Sequence, residues 1–345
     1  MAINEPFEFF LQWHLTERCN LRCRHCYQSG AGRQELSLAQ ISATIAEAAA
    51  MIADWEKRYG VTIDRSCNVT GGEPLLRDDL FAVLEELGRA GFALYLLSNG
   101  SLIDQQRAQA LAAAGVQGVQ ISIEGPAEIH DDLRGQQSYR RALRGTRHLL
   151  AAGLPVTFNV TLSRLNAPYL EKMIESAAAL GVQRVGFSRL VPAGQGADLL
   201  GQMLTPEEVG RLYRRLLAMP VPGLEIVTGD PIHGQIGHNP PPAAHSTPYG
   251  GCAAGVSGLT LLADGTILPC RRLEIPLGNV TTDSLREIWA TAEVLHRLRT
   301  QALYGGKCTA CPRWSGCRGC RAIAYAYSRA NGQADYLAED PQCFL

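Results

Sequence analysis

Residues 93–125 read ALYLLSNGSLIDQQRAQALAAAGVQGVQISIEG. Ala93–Leu97 is an apolar run of strand character. Asp104 stands at the N-cap of QQRAQALAAAG, and Ala114-Gly115 closes that helix, because glycine can take the left-handed conformation that ends one. Val119–Ile123 is the next strand-like run. Strand, helix and strand at this spacing make a βαβ unit with a parallel pair. The module recurs outward from Phe9 to about Arg189, with helix ends at Ala90-Gly91, Ala152-Gly153 and Leu180-Gly181. The runs Val156–Val160 and Arg184–Phe187 follow, while Phe9–Leu15 and a run near Ile63–Val69 precede. Ser37 opens the long helical stretch LAQISATIAEAAAMIADWEKRYG. These six strands are apolar on both faces, as in a parallel sheet covered by helices. The expectation is α/β: an open, partial (β/α)6 TIM-type barrel with right-handed crossovers. A doubly wound sheet is an alternative that periodicity alone leaves open.

After Leu190 the pattern changes. Thr205-Pro206-Glu207-Glu208 is a capping box opening a helix to about Met219. Residues 220–250, rich in Pro, Gly and His, read as a linker or substrate-facing loop. Gly258–Leu262 and Thr266–Leu268 flank Asp264-Gly265, a type I′ hairpin signal. A short helix is expected around Ser284–Leu298, and the remainder is too poor in apolar residues for a core of its own. The division is therefore a barrel over 1–200, a bridging helix and linker over 201–249, and a small Cys-rich domain over 250–345 organised by metal.

The chain of 345 residues is 46% hydrophobic and 19% charged, with a formal net charge of −1. That balance gives no electrostatic argument for nucleic acid or an anionic membrane. No apolar run has the length of a membrane span, and MAINEPFEFF lacks the features of a secretory signal, so the cytoplasm is the expected compartment. Eleven cysteines, an odd number, argue against a disulfide framework there. Three crowd into residues 19–26 and seven lie between 252 and 343; Cys67 alone reads as a small buried hydrophobe. Clustered thiols in a reducing compartment mean metal.

Cys19, Cys23 and Cys26 follow the first strand at x3 and x2 spacing. Three thiolates can hold three irons of a cubane and leave the fourth open; spacing alone equally allows zinc on three Cys plus His25. A position at the carboxyl end of a barrel strand favours chemistry. The segment CNLRCRHCY resembles the signature loop of the radical SAM superfamily, whose members cleave S-adenosylmethionine (SAM). Gly71-Gly72-Glu73-Pro74 resembles its GGEP element. Ser98-Asn99-Gly100 and Ser122-Ile123-Glu124-Gly125 close the next two strands, and His130-Asp131 with Arg134-Gly135 resembles its HD-x-x-RG stretch. The resemblance covers roughly residues 9–200. It implies SAM contacts from Tyr27, Gly71, Gly72, Glu73, Ser98, Asn99, Ser122, Glu124, Arg134 and Asn159, with the two glycines admitting ligand and Glu73 accepting from the SAM ammonium. It also implies one-electron cleavage of SAM at the open iron and hydrogen abstraction by a 5′-deoxyadenosyl radical, the protein orienting the reactants.

Cys252, Gly265 and Cys270 are spaced C-x12-G-x4-C, and Cys308, Cys311, Cys317 and Cys320 are spaced C-x2-C-x5-C-x2-C before Cys343. This resembles the SPASM extension of radical enzymes that modify peptides and proteins, with one residue fewer than usual between Cys317 and Cys320. The resemblance implies a distal auxiliary cluster on Cys308, Cys311, Cys317 and Cys343, and a proximal one on Cys252, Cys270 and Cys320. The fourth proximal ligand is not evident; Ser246, beside His245, stands where some relatives have Cys. Structural zinc is the alternative for these CxxC pairs. Three [4Fe-4S] clusters and SAM are the implied cofactors. A precursor peptide or protein is the implied substrate, and a flavodoxin or ferredoxin the implied electron donor.

The first functional reading is therefore maturation of a ribosomally made peptide by a thioether or C–C crosslink, or by epimerisation. The first strand begins near Phe9, so leader recognition would fall to a separate small protein or a barrel groove. An anaerobic sulfatase-type maturase forming formylglycine comes second, and a haem- or quinone-precursor tailoring enzyme third. A non-catalytic iron–sulfur or zinc protein is the rival class, and Glu73, Ser122 and Glu124 speak against it. Asp230, His233 and His238 are acid–base candidates by position only, surface-loop residues being the plainer reading.

Overall fold

The computed structural model describes residues 7–28, 30, 32–236 and 247–345. Its strands are β1 (Phe7–His14), β2 (Ile63–Thr70), β3 (Ala93–Ser98), β4 (Val116–Ser122), β5 (Val156–Leu162), β6 (Arg184–Arg189), β7 (Glu225–Thr228), β8 (Gly258–Leu261), β9 (Thr266–Leu268) and β10 (Gly278–Asn279). They form one sheet in the order β10-β9-β8-β1-β2-β3-β4-β5-β6-β7. Each neighbouring pair from β1 to β7 is parallel, as is β8 on the free edge of β1; β8–β9 and β9–β10 are antiparallel. The helices are α1 (Leu38–Tyr59), α2 (Leu80–Arg89), α3 (Gln105–Ala113), α4 (Ala127–Arg134), α5 (Ser138–Ala151), α6 (Leu170–Leu180), α7 (Pro206–Leu217), α8 (Leu285–Thr291), α9 (Glu293–Leu298) and α10 (Arg321–Ala330). None among the described residues is long and apolar enough to cross a membrane.

All six expected strands are present, and their local signals act as read. Ser37 and Gln40 form a reciprocal capping box on α1, Asp104 accepts from the Arg107 N–H at the start of α3, and Thr205 and Glu208 cap α7. Gly91, Gly115, Gly153 and Gly181 take φ of +81°, +78°, +78° and +83°.

Three features differ from expectation. The segment read as linker or loop contains β7, paired with β6 from Arg184↔Glu225 to Phe187↔Thr228; four residues with no helix after them carry too little pattern to announce a strand. The hairpin turn is not type I′. Only Gly265 has positive φ (+85°), and its N–H donates to Leu262 O (3.0 Å), so Ala263 and Asp264 make a type I turn followed by a left-handed glycine. The short helix is two, α8 and α9, broken at Ala292, whose ψ of 122° is extended. The C-terminal residues, too poor in apolar side chains for a core of their own, join the barrel's: Phe9 meets Trp55 of α1 and Trp289 of α8 edge-on at 5.3 and 5.1 Å, and Trp314 and Tyr304 are buried in the same cluster.

Candidate active site

The carboxyl ends of β1–β6 surround a cavity of about 880 Å³. Its floor is the loop after β1, where the Cys26 N–H donates to Cys23 O (3.1 Å). The loop crosses the end of β2 at contact distance: Gly72 N–H donates to Thr16 O and Glu73 N–H to Arg18 O, both at 2.8 Å. A Cβ at Gly71 would lie 2.3 Å from Thr16 O, and one at Gly72 2.4 Å from Arg18 O. The glycine pair is thus required by the backbone of the cysteine loop, a nearer constraint than the ligand approach expected of it. Asn20 ties the same loop to the end of β3, accepting from Asn99 (3.0 Å) and donating to Ser101 (2.8 Å).

Cys19, Cys23 and Cys26 all line the cavity as free thiols. Burial pushes the Cys23 thiol up to about 11, against the pull of Arg134, whose Nη1 lies 3.7 Å from Cys23 Sγ. Arg134 is held by Glu124 (Nε–Oε1 2.9 Å), which also takes the Thr161 N–H (2.8 Å) and faces His25 Nε2 at 3.3 Å. Burial opposes ionisation of Glu124, but Arg134 and His25 outweigh it and hold the carboxyl well below its ordinary range. Glu73, also wholly buried, accepts from Ser98 Oγ (2.9 and 3.0 Å) and the Asn99 N–H (2.9 Å). Burial raises its carboxyl to about 7 despite those bonds.

The site residues thus fall into two sets. Tyr27, Gly71, Gly72, Ser98, Asn99, Ser122, Arg134 and Asn159 line the cavity. Glu73 and Glu124 stand behind its wall, each holding residues that do. Tyr27 is itself braced, its hydroxyl 3.4 Å from His14 Nε2 while Gln28 donates to His14 Nδ1 (2.8 Å). Burial, helped by Arg271, lowers His14 to about 3, so the imidazole is neutral.

The C-terminal thiols fall into two neighbourhoods. Burial raises the Cys308 thiol to about 11, eased by Arg321 and reinforced by Cys343, Cys317 and Cys311. The Gln235 amide nitrogen reaches both Cys317 Sγ (3.6 Å) and Cys343 Sγ (3.4 Å). Burial raises Cys320 to about 12, opposed by Arg272, with Cys252 among its neighbours; Arg272 in turn lies in the field of Cys320 and Cys270. Asp230 is no surface residue. Its carboxylate binds fully buried Arg189 (2.7 and 2.9 Å) and accepts from Tyr213 (3.0 Å), while Asp340 holds the other side of Arg189. His233 is exposed; His238, His245 and Ser246 lie outside the described residues.

The profile of the Radical SAM superfamily matches residues 13–177, and that of an iron–sulfur cluster-binding domain, SPASM, matches residues 252–321. The AdoMet-dependent heme synthase of Methanosarcina barkeri is 31% identical over 357 residues, 96% of this chain and 95% of that one. The chain belongs to the radical SAM superfamily. The AdoMet-dependent heme synthase of Oleidesulfovibrio alaskensis is 30% identical over 96% of this chain and 86% of that one. The mycofactocin maturase MftC of Mycolicibacterium smegmatis is 30% identical over 90% and 76%. In fold the chain is similar to Streptococcus suis SuiB bound to S-adenosylmethionine, with a TM-score of 0.72, 17% identity and coverage of 99% of this chain and 78% of SuiB.

This radical SAM–SPASM enzyme therefore uses SAM and iron–sulfur chemistry, and its residues fit both. The thiols share one wall with Arg134 as countercharge, and the cavity is of small-molecule size. Residues that sequence reasoning missed also line it: Thr161, Ser188, Arg271 and Arg272. Thr161 had a signal, since it lies two residues beyond Asn159 and so on the same face of β5. Arg271 and Arg272 had one too, following Cys270 directly.

Proposed function

We propose that this enzyme tailors a tetrapyrrole on the way to haem, abstracting a hydrogen atom from a side chain as part of a net two-electron oxidation. The observation that carries the reading is one cavity walled by Cys19, Cys23 and Cys26 and also by Arg271 and Arg272, next to Cys270. A substrate there lies between the radical source and the proximal cysteine group. When bound, the open-iron cluster and SAM supply the 5′-deoxyadenosyl radical that takes the hydrogen atom. Ser98, Asn99, Ser122 and Asn159 would position SAM, with Glu73 and Glu124 fixing the walls. Auxiliary [4Fe-4S] clusters on Cys308, Cys311, Cys317 and Cys343, and on Cys252, Cys270 and Cys320, would take up the second electron. A flavodoxin or ferredoxin would reduce the first. Support for haem comes from the two heme synthases, matched over 96% of this chain. A peptide maturase is the second reading, favoured by the similarity to MftC.

Anaerobic reconstitution should yield about twelve irons per chain. Cys270→Ala should retain uncoupled 5′-deoxyadenosine formation and lose the tetrapyrrole product. Full product from that variant, lacking the proximal cluster, would refute the role given to it. Peptide turnover without tetrapyrrole turnover would transfer the assignment to the second reading.

A further inference from the structure

A second cavity of about 380 Å³ adjoins the first and shares Glu17, Tyr27, Gln28, Arg33, Arg271 and Arg272 with it. Its far walls are largely apolar, with Ala193, Leu262, Leu268 and Ala326 among them, and Arg329 also lines it.

The charges around these cavities are unevenly balanced. Arg33 is neutralised by Glu17, Asp264 and Glu274, Arg134 by Glu124, and Arg189 by Asp230 and Asp340. Arg271 and Arg272 have no carboxylate within 4.0 Å among the described residues. Arg271 lies over the Tyr27 ring at 5.8 Å, and Arg272 reaches only Arg189 O, at 3.4 Å. The Arg272 Nε is buried without any partner. Arg329, at the exposed side, rests over Tyr325 at 5.6 Å and likewise has no carboxylate there. Arg272 faces the thiols of Cys320 and Cys270 and lies in the field of the Asp230 carboxylate, which is committed to Arg189 and beyond 4.0 Å of it. Arg271 faces Tyr27 and His14, neither of which is an anion.

Half-buried guanidinium groups with no carboxylate in direct contact are costly unless an anion joins them, and the guanidinium fork suits a carboxylate. Apolar walls call for an apolar body. We infer that the second cavity is the substrate chamber, taking an apolar body whose carboxylate is gripped by Arg271, with Arg272 beside it and Arg329 at the mouth. Gripped at the boundary of the two cavities, the carboxylate places its neighbouring C–H bonds toward the cysteine loop. This rests on the tetrapyrrole reading for the identity of the body, since haem-type macrocycles are flat, apolar and carry carboxylate side chains, but not for the carboxylate grip itself.

The test is equilibrium binding to the anaerobically reconstituted full chain, followed by ligand fluorescence. The probes are protoporphyrin IX and its dimethyl ester, then pyrenebutyrate and pyrenebutanol. The free acid should bind wild type at least about tenfold tighter than the ester. Arg271→Gln should remove that preference by weakening the acid about ten- to a hundredfold and the ester less than about threefold; Arg271→Lys should restore part of it. Iron content equal to that of wild type certifies that each variant is folded. Equal binding of acid and ester to wild type overturns the inference. So does porphyrin binding that ignores Arg271→Gln, which would leave the tetrapyrrole reading standing. If neither porphyrin binds while pyrenebutyrate is preferred over pyrenebutanol in an Arg271-dependent way, the grip stands and the tetrapyrrole reading falls.

Discussion

The first cysteine group lies within one short loop, Cys19–Cys26, whereas the C-terminal thiols are drawn from residues 252 to 343. The loop is held mainly by main-chain bonds, from Gly72 to Thr16 and from Glu73 to Arg18, and by the Asn20 side chain. None of these bonds uses a thiol. The C-terminal groups have no such independence. Gln235, beyond β7, reaches Cys317 and Cys343, and the Cys320 N–H donates to Asp340 Oδ2 (2.7 Å), which itself binds Arg189 of β6. In the first region the bonds that tie the loop to β2 and β3 bypass its thiols; in the other, Gln235 bonds two of the thiols themselves and Asp340 links the Cys320 main chain to buried Arg189.

The largest effect expected from this contrast is loss of activity without loss of fold. Replacing Cys19, Cys23 and Cys26 together by Ala should reduce 5′-deoxyadenosine formation at least about a thousandfold, since the radical chemistry belongs to the cofactor. The melting temperature should move by less than about 4 °C. Unfolding of that variant would break the comparison, showing that the loop also needs its metal to stand.

The second effect is on stability, in the other region. Asp230→Asn removes one of the two carboxylates from fully buried Arg189 and should cost about 3–5 kcal/mol. Burial works against the Asp230 charge, but Arg189 holds the carboxyl down to about 2. A carboxyl lowered by folding stabilises above its unfolded value, near 4, and loses that contribution as pH falls toward 2. The gap between wild type and variant in urea unfolding should therefore be level from pH 5 to 8 and close below pH 4. A gap that stays open in acid would mean that the ion pair is not its source.

What was legible in the sequence divides along the same line. Ser37, Asp104, Thr205 and the helix-ending glycines act within a few residues of themselves, so spacing reveals them. So does the spacing of Cys19, Cys23 and Cys26. The pairing of Arg189 with Asp230 and Asp340 joins distant segments, and nothing near Asp230 announces it; a Pro- and Gly-rich setting argues for a surface loop instead. Gly71 and Gly72 were legible as a close approach, but not what approaches, because the crossing loop belongs to another strand. Arg271 and Arg272 were in view beside Cys270, yet their significance lies in the carboxylates they lack, which only the assembled cavity reveals.

The smallest effect concerns Glu73, the point where the cysteine loop depends on a buried charge. Its carboxylate receives Ser98 and Asn99, whose side chains face the cavity, and the field of Arg107 reaches it weakly. Burial raises this carboxyl from an ordinary 4.5 to about 7. A raised carboxyl favours the fold fully below its unfolded value and loses that advantage as pH rises through the folded one. Wild type should thus lose about 1–3 kcal/mol between pH 5 and 8 from this group, and Glu73→Gln, neutral throughout, should not. The variant should match wild type in urea unfolding at pH 5 and exceed it at pH 8. SAM binding should weaken about three- to tenfold, because Gln keeps one acceptor for the Asn99 N–H and gives up the other. Stability that follows the same pH course in both proteins would show that Glu73 is already satisfied as an anion. SAM affinity unchanged at both pH values would show that Ser98 and Asn99 keep their places without it.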